Sequence, residues 1–366
     1  MNQIDLSSGA SYFRSPGAAT AAAIAALQHG KTSYGPAEGI LELRSAIASR
    51  YSITEPEQVL ITPGSKQALF NLLSVLLRED DEVIIPTPAW FGFHQLLEYS
   101  KGKLIQLPTT LATGYTIDPE ALQQVLSEKS RILLLTNPGN PTGRLYTKQE
   151  LEAIVAVTAQ YPDLYIISDE IYDLITYCGT FTSILSCQGV EAERTCVVNG
   201  FSKNFAMSGW RVGYITGPAD LIAKCAGFQS ATMSGVSLFI QDAALAAFKN
   251  REKVLEPMQQ VLQEHRTYMQ QELSTIPNIN FYLPDGAYYF FPDFSAYMAS
   301  IAPSGQIIDS SISLFNYLSQ TCGVTLSPGD NFGAPGYARM SFAVEKPVLA
   351  EGLQRLKEGL ARLQTS

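Results

Sequence analysis

The sequence predicts an α/β fold: a mostly parallel β-sheet covered by helices on both faces, together with a smaller α+β domain. Apolar runs rich in Val and Ile alternate with longer helical patterns from residue 59 to about 225, as is typical of strands buried on both faces. After residue 240 this alternation ends, and helical and strand-like segments are mixed. With 366 residues, the chain is long enough for two domains.

Seven apolar runs are the predicted strands of the sheet: VLIT (59–62), EVIIP (82–86), KLIQL (103–107), RILLLT (131–136), LYIIS (164–168), TCVVN (195–199) and VGYIT (212–216). Helices are predicted between them at KQALFNLLSVLL (66–77), around 119–128 and at KQELEAIVAVTAQ (148–160). For the smaller domain we expect a helix over roughly 240–273, strands at INFYL (279–283) and AYYFF (287–291), a helix near 306–321, and a closing strand and helix at 338–343 and 347–363.

Composition narrows the class of protein. Charged residues make up 16% of the chain, against about a quarter in average proteins, so we expect part of the surface to be hidden in a partner subunit. The net charge of −9 argues against a nucleic-acid partner, which needs a basic face. No apolar run approaches the ~18 residues of a membrane span, and the Ala-rich stretch 19–27 lacks the cationic leader of a signal peptide.

The five cysteines (178, 187, 196, 225 and 322) form an odd set without a CxxC pair, which suggests neither a disulfide framework nor a zinc site. We expect them to be reduced thiols, mostly in the core. The three histidines are too few and too scattered for a metal cluster. A reduced, cytoplasmic enzyme without a metal is the simplest class.

Two turns follow predicted strands, at the sheet edge where ligands of α/β proteins bind. In TPGSKQAL (62–69), free backbone N–H groups of Gly64, Ser65 and Lys66 would suit a phosphate at a helix N-terminus, although most such turns bind nothing. TNPGNPTG (136–143) is either a structural loop or a rigid turn that projects its side-chain amides toward a ligand.

A third segment, SDEIYD (168–173), places Asp169 at the end of a buried strand. A buried carboxylate is costly unless it is paired, so Asp169 should have a cationic partner; the alternative is a helix cap. Tyr172 could face the same cavity.

The segment GFSKNFAMSGWRVGY (200–214) contains two charges, Lys203 and Arg211, between two predicted strands. A lysine in dry surroundings becomes an amine nucleophile toward carbonyls, and an arginine can hold a phosphate with two hydrogen bonds. Both could instead be snorkelling side chains. Together with the phosphate turn and Asp169, however, they meet the requirements of pyridoxal phosphate. A nicotinamide cofactor is a poorer match, because no GxGxxG follows a strand.

These segments resemble the class I aminotransferases, which are fold type I pyridoxal-phosphate enzymes, and among them the bacterial aspartate aminotransferases most closely. GFSKNFAMSGWRVG fits the lysine-attachment signature of that family at every position. The resemblance runs from about Ile4 to the C-terminus, through KTSYGPAEGILELRSAI, GSKQALFN, NPGNPTG, SDEIYD, PDGAYYFFPD and SPGDNFGAPGYARMSFA. It implies a large domain over residues 13–255 and a small domain formed by 1–12 and 256–366.

The resemblance implies a role for each matched residue. Lys203 would bond to the cofactor aldehyde and later move a proton between the substrate Cα and the cofactor. Asp169 would hold the ring nitrogen. The remaining assignments are Tyr172 and Asn140 on the phenolic oxygen, Trp90 on the ring face, Gly64, Ser65, Lys66 and Arg211 on the phosphate, Ser202 beside the cofactor, Tyr34 contributed by the other subunit of a homodimer, and Arg339 on the substrate α-carboxylate with Asn140 and the backbone of Gly9.

Two departures from the family pattern bear on these roles. A hydroxyl that some relatives place three residues before the lysine is Gly200 here, and the chain begins only a few residues before Gly9, without a helix that many relatives fold over the substrate. Lys66 favours a dicarboxylic substrate, because in one subgroup a lysine at this position helps to bind the distal carboxylate. The shortened N-terminus weakens that inference.

The sequence therefore predicts a pyridoxal-phosphate-dependent aminotransferase that moves the amino group of an L-amino acid, preferably aspartate or glutamate, to a 2-oxo acid such as 2-oxoglutarate. The alternatives are an aminotransferase for aromatic or other neutral amino acids and a β-lyase of the same fold. A ligand-sensing domain is the non-enzymatic alternative. The low charge and the expected position of Tyr34 favour a homodimer with shared active sites.

Overall fold

A computed structural model describes residues 2–53 and 55–364. Its strands are β1 (Ile4–Asp5), β2 (Val59–Thr62), β3 (Glu82–Thr87), β4 (Lys103–Pro108), β5 (Ser130–Thr136), β6 (Tyr165–Asp169), β7 (Thr195–Gly200), β8 (Gly213–Thr216), β9 (Tyr289–Phe290), β10 (Val324–Thr325), β11 (Ser327–Pro328) and β12 (Ala338–Ser341). Its α-helices are α1 (Gly17–Gln28), α2 (Leu41–Arg50), α3 (Ser65–Leu76), α4 (Gly92–Ser100), α5 (Pro119–Val125), α6 (Lys148–Thr158), α7 (Ala219–Met233), α8 (Leu238–Lys249), α9 (Arg251–Leu273), α10 (Ser311–Cys322) and α11 (Lys346–Ala361).

A seven-stranded sheet lies at the centre of the structure, in the order β2–β8–β7–β6–β5–β3–β4. The strands from β7 to β4 are parallel, whereas β8 pairs antiparallel with both β7 and β2. Because β8 alone is reversed in this sheet, its start lies at the same edge as the carboxyl ends of the other six strands. All seven predicted strands are confirmed, each within one residue at either end.

Helices cover both faces of the sheet, which explains why its strands are apolar throughout. Val83 and Ile85 of β3 pack with residues of α3 and α4, whereas Ile84 between them packs with residues of α5 and α6. Successive side chains of a strand point to opposite faces, so every position of a doubly covered strand must be apolar. A third cluster, formed by residues of α1, α2 and α8, covers the β2–β8 end of the sheet.

A second hydrophobic core gathers the N-terminal strand β1 and most of the chain beyond residue 255. There β1 pairs in parallel with β10, and β11, β12 and β9 form a small antiparallel sheet. This second core places Arg339, on β12, close to the large sheet. None of the described helices combines the length and the apolarity needed to cross a bilayer.

Three predictions for this C-terminal part were wrong in extent. The helical stretch 240–273 is two helices, because Asn250 leaves the helical conformation (φ −105°, ψ 18°) between α8 and α9. INFYL (279–283) forms a single bridge, between Asn280 and Asp293, rather than a strand. The helix predicted near 306 begins at Ser311, where the Ser310 side chain accepts a hydrogen bond from the Ser313 N–H in a capping box.

Candidate active site

A cavity of about 170 Å³ opens at the edge of the large sheet where six strands end. Its walls come from the ends of β2, β3, β5, β6 and β7 and the turns after them, from the N-terminal segment and from β9 and β12. Eight of the residues predicted from the sequence line it: Gly9, Ser65, Trp90, Asn140, Asp169, Tyr172, Lys203 and Arg339. The other five predicted residues, Gly64, Lys66, Ser202, Arg211 and Tyr34, lie outside the lining.

Asp169 is the last residue of β6 and is 6% exposed. Burial raises the pKa of its carboxyl to about 7, against the opposing effects of the Ile171 N–H and of the charge on Lys203. The Ile171 N–H donates to one carboxyl oxygen at 3.3 Å. Within residues 2–53 and 55–364 no cation lies within 4 Å, so the cationic partner expected from the sequence is not supplied by the chain. A protonated ring nitrogen in the cavity would fill that place.

Lys203 follows β7 and directs its amine into the cavity, where Nζ donates to the carbonyl of Gly9. The hydroxyl of Tyr288 donates to the same carbonyl at 2.8 Å. The N-terminal segment is thus bonded to the predicted nucleophile. The Lys203 amine is hydrogen-bonded to a neutral carbonyl and forms no salt bridge with a described carboxylate. It can therefore bond to a ligand without breaking an ion pair.

Arg339 is 4% exposed and lies between two aromatic rings, with its guanidinium carbon 4.5 Å from the ring centre of Tyr289 and 5.1 Å from that of Phe332. Its Nη1 donates to Asn140 Oδ1 at 3.0 Å, and its Nη2 donates to the Ser7 carbonyl at 2.8 Å. Among the described residues it has no acidic partner, and its Nε is buried without an acceptor. A buried cation in this state suits the carboxylate of a ligand.

The turn after β2 forms part of the expected phosphate site. Helix α3 begins at Ser65, and the N–H groups of Ser65 and Lys66 have no acceptor in the described chain. One detail of the prediction was wrong: the N–H of Gly64 is not free, because it donates to the Thr62 carbonyl at 2.7 Å. Arg211 lies beside Gly64 and donates to the carbonyls of Ser208 and Pro63, at 2.8 and 3.2 Å.

The remaining predicted residues surround the cavity at larger distances. The Lys66 ammonium lies 5.0 Å from the ring centre of Trp90, on the cavity wall. Ser202 is buried next to Lys203 but does not line the cavity. Tyr34 is 91% exposed and takes no part in the cavity of its own chain.

The sequence analysis missed four lining residues: Phe91, Thr136, Ile171 and Tyr289. Among these four, Tyr289 is the aromatic residue that carries a hydroxyl, and this hydroxyl lies 2.8 Å from that of Tyr172. The segment AYYFF (287–291) was predicted to be a buried strand. Its two adjacent tyrosines were the feature of the sequence that could have indicated a site.

This fold and this site define an enzyme that works through pyridoxal 5′-phosphate. The family model described as aminotransferase class I and II matches residues 1–356. The chain belongs to that family and is a pyridoxal-phosphate-dependent aminotransferase. The predicted fold class, cofactor and enzyme class are thereby confirmed.

Relatives match over nearly the whole chain. A bifunctional aspartate aminotransferase and glutamate/aspartate-prephenate aminotransferase of Petunia hybrida is 36% identical, over 99% of this chain and 77% of its own length. A probable aspartate/prephenate aminotransferase of Aquifex aeolicus is 32% identical, over 98% of this chain and 91% of its own. The crystal structure of the aspartate aminotransferase from Rhizobium meliloti superposes with a TM-score of 0.95 at 30% identity, covering 99% and 92% of the two chains.

Proposed function

We propose that this aminotransferase acts on a dicarboxylic L-amino acid, aspartate or glutamate, with a 2-oxo acid such as 2-oxoglutarate as acceptor. The observation that carries the proposal is that, besides the amine of Lys203, two cations at the cavity have no acidic partner among the described residues. Arg339 lies in the wall, and Lys66 lies over Trp90. Two carboxylates on one substrate would use both. The names of the Petunia and Aquifex relatives, which include aspartate, support the same class of substrate.

The cofactor, when bound, supplies an electron sink for the bond that breaks at the substrate Cα. The residues proposed to hold the cofactor would contact four parts of it: the ring nitrogen, the phenolic oxygen, the ring face and the phosphate. Asp169 would keep the ring nitrogen protonated, since no cation of residues 2–53 and 55–364 lies within 4 Å of its carboxyl. The others are Tyr172 and Asn140 at the phenolic oxygen, Trp90 at the ring face, and Gly64, Ser65, Lys66, Ser202 and Arg211 around the phosphate.

Lys203 has two proposed tasks. Its amine would hold the cofactor covalently, and when a substrate amine takes that place, the freed Nζ would move the proton between the substrate Cα and the cofactor. Arg339 holds the α-carboxylate in a forked pair, assisted by Asn140 and the backbone of Gly9. Orienting the substrate in this way keeps its Cα within reach of the Lys203 amine.

The substrate proposal is tested by comparing wild type with Lys66→Ala on a panel of amino acids and 2-oxoglutarate. We expect KM for aspartate and glutamate to rise roughly 10- to 100-fold, the effect of losing one charged hydrogen bond, with little change for a neutral amino acid. Lys148→Ala, at an exposed lysine paired with Glu152, is the control. Borohydride reduction followed by mass spectrometry should locate the cofactor on Lys203, and Lys203→Ala should lose the label.

Other outcomes would identify the alternatives. An equal effect of Lys66→Ala on acidic and neutral donors would contradict the dicarboxylic substrate and favour aromatic or other neutral amino acids. Pyruvate and ammonia released from one amino acid without an acceptor would indicate a β-lyase. Prephenate, which appears in the names of the Petunia and Aquifex relatives, is the acceptor to test beside 2-oxoglutarate.

We further propose a cytoplasmic homodimer, active in amino acid biosynthesis, in which Tyr34 of one subunit reaches the phosphate site of the other. The exposure of Tyr34 on the single chain supports this arrangement. The five free thiols support a reducing compartment. The domain boundaries, 13–255 for the large domain and 1–12 with 256–366 for the small one, also remain proposals. They are supported by the second hydrophobic core.

A further inference from the structure

The hydroxyl of Tyr289 lies where several groups of the proposed site meet. It is 2.8 Å from the Tyr172 hydroxyl and 3.4 Å from the carbonyl of Gly9. A Cβ built on Gly9 would lie 3.4 Å from the same hydroxyl and 3.5 Å from Lys203 Nζ, so these groups share one small volume. The ring of Tyr289 packs against the Arg339 guanidinium. The side chain therefore contacts both the proton-handling side and the carboxylate-binding side of the cavity.

The Tyr289 hydroxyl has two acceptors within reach, the Tyr172 oxygen at 2.8 Å and the Gly9 carbonyl at 3.4 Å. The Gly9 carbonyl also accepts from Lys203 Nζ and from the Tyr288 hydroxyl, which together occupy its two lone pairs. The shorter distance and the competition at Gly9 both favour Tyr172 as the acceptor of the Tyr289 proton.

We propose that Tyr289 is a positioning residue that donates to the Tyr172 oxygen and so directs the proton of Tyr172 into the cavity, toward the phenolic oxygen of the cofactor. A hydroxyl that accepts one hydrogen bond becomes a better donor in the next. Tyr289 thus strengthens the bond that stabilises negative charge on the cofactor oxygen, while its ring holds Arg339 against the opposite ring of Phe332. The inference rests on the proposed site, in which Tyr172 faces the cofactor.

The first test is a pH titration of the absorbance of the bound cofactor in Tyr289→Phe holoenzyme. A donor on the cofactor oxygen lowers the midpoint of this titration, because it stabilises the ionised oxygen. We expect Tyr172→Phe to raise the midpoint by about one to two pH units and Tyr289→Phe to raise it by a few tenths of a unit. In Tyr289→Phe, kcat should fall roughly 3- to 10-fold with KM nearly unchanged, since the ring against Arg339 remains.

The matched control is Tyr177→Phe, which removes a nearby hydroxyl that donates to the Ala287 carbonyl and touches neither Gly9 nor Tyr172. Its titration midpoint should equal that of wild type. Phe332→Leu, which removes the other ring against Arg339, should raise KM without moving the midpoint. Far-ultraviolet circular dichroism and thermal melting show whether each variant is folded.

The outcomes separate this inference from the proposed site. If Tyr172→Phe leaves the midpoint unchanged, the placement of Tyr172 at the cofactor is wrong. If Tyr172→Phe shifts the midpoint but Tyr289→Phe does not, or if Tyr177→Phe shifts it as much as Tyr289→Phe, the positioning role of Tyr289 is overturned.

Discussion

Two consecutive acidic residues at the end of β6 have opposite surroundings. Asp169 faces the cavity, whereas Glu170 is fully buried on the far side and accepts hydrogen bonds from the Ser183 hydroxyl and the Ile184 N–H, both at 3.0 Å. Its second oxygen has no hydrogen-bond partner in the described part of the chain. Burial, reinforced by the charge of Asp173 and opposed by these hydrogen bonds, raises the pKa of Glu170 to about 8. Glu170 is therefore a structural carboxylic acid that is largely protonated at neutral pH.

This raised pKa predicts how stability depends on pH. The unfolded chain ionises Glu170 near its ordinary pKa of 4.5 and the folded chain near 8, so rising pH between these values favours unfolding, by about 1.4 kcal/mol for each unit between the two pKa values. Glu170→Gln removes this dependence. In urea unfolding of cofactor-free protein, the variant should gain stability relative to wild type as the pH is raised from 5 to 8.

Glu150→Gln is the matched control. Burial tends to raise the pKa of Glu150, but hydrogen bonds from Thr147 and Arg144 outweigh it, and the pKa is lowered. The contribution of Glu150 is therefore fully present above pH 4.5 and lost as the pH falls below it. Between pH 5 and 8 this variant should differ from wild type by a constant amount. A constant difference for Glu170→Gln as well would contradict the assignment.

The packing of β8 against the start of α3 positions the phosphate site. A Cβ on Gly213, the first residue of β8, would lie 2.6 Å from the Ser65 nitrogen and 2.7 Å from the carbonyl carbon of Gly64. Both are backbone atoms, so no side-chain rotation could relieve the clash. Glycine at this position allows the N-terminus of the helix to sit directly against the sheet, with its N–H groups turned to the ligand.

Gly213→Ala should therefore weaken cofactor binding, because the added methyl group displaces the N–H groups of Ser65 and Lys66. We expect a loss of affinity of roughly 10- to 100-fold, equivalent to one charged hydrogen bond, measured by titrating cofactor-free enzyme with pyridoxal phosphate. Gly209→Ala, in the same segment, has nothing within 4 Å of the added Cβ and should bind normally. Equal affinities in the two variants would show that the close packing does not hold the site.

At the level of elements, the sequence predicted the sheet better than the parts around it. Six of the seven strands are largely buried, and only the edge strand β4 is mostly exposed or half-buried. Their apolar runs were therefore clear, whereas the break at Asn250 depends on the backbone of one residue inside a continuous helical pattern. The lining residues at strand ends were predicted because polar and charged residues that directly follow an apolar run lie at the edge of the sheet where ligands bind. Tyr289 was missed because its partners, Tyr172 and Gly9, are distant in sequence.

The exposed apolar residues of the described chain indicate where the second subunit of the proposed dimer would bind. Large apolar residues are exposed on and near α1, α2 and α7: Ile24, Leu27, Leu41 and Met233. Close to them, the loop that contains Tyr34 is held by its own chain, since a Cβ on Gly35 would clash with Leu238 and one on Gly235 would lie 2.9 Å from the Pro36 carbonyl. The backbone of this loop is fixed while the ring of Tyr34 projects into solvent, as expected of a residue that serves a neighbouring subunit.

Sedimentation equilibrium of the holoenzyme should therefore give a dimer. Tyr34→Phe should keep that mass but lower cofactor affinity roughly 3- to 10-fold, because one hydrogen bond to the phosphate is lost across the interface. Tyr99→Phe, at another exposed tyrosine (79%) on α4, is the control and should bind as wild type does. An active monomer, or equal affinities for the two variants, would contradict the shared site.

The reversed strand β8 brings two residues of the proposed cofactor site together on one hairpin. Because the chain leaves the sheet on β7 and returns on β8, Lys203, the proposed covalent anchor, and Arg211, the proposed phosphate contact, belong to a single hairpin between adjacent strands. Their spacing is set within that hairpin and does not depend on the outer strands β3 and β4. Changes in the loop after β4 would therefore leave the spacing of these two proposed contacts with the vitamin B6 group unchanged, whereas the loop after β3 carries Trp90 into the cavity wall.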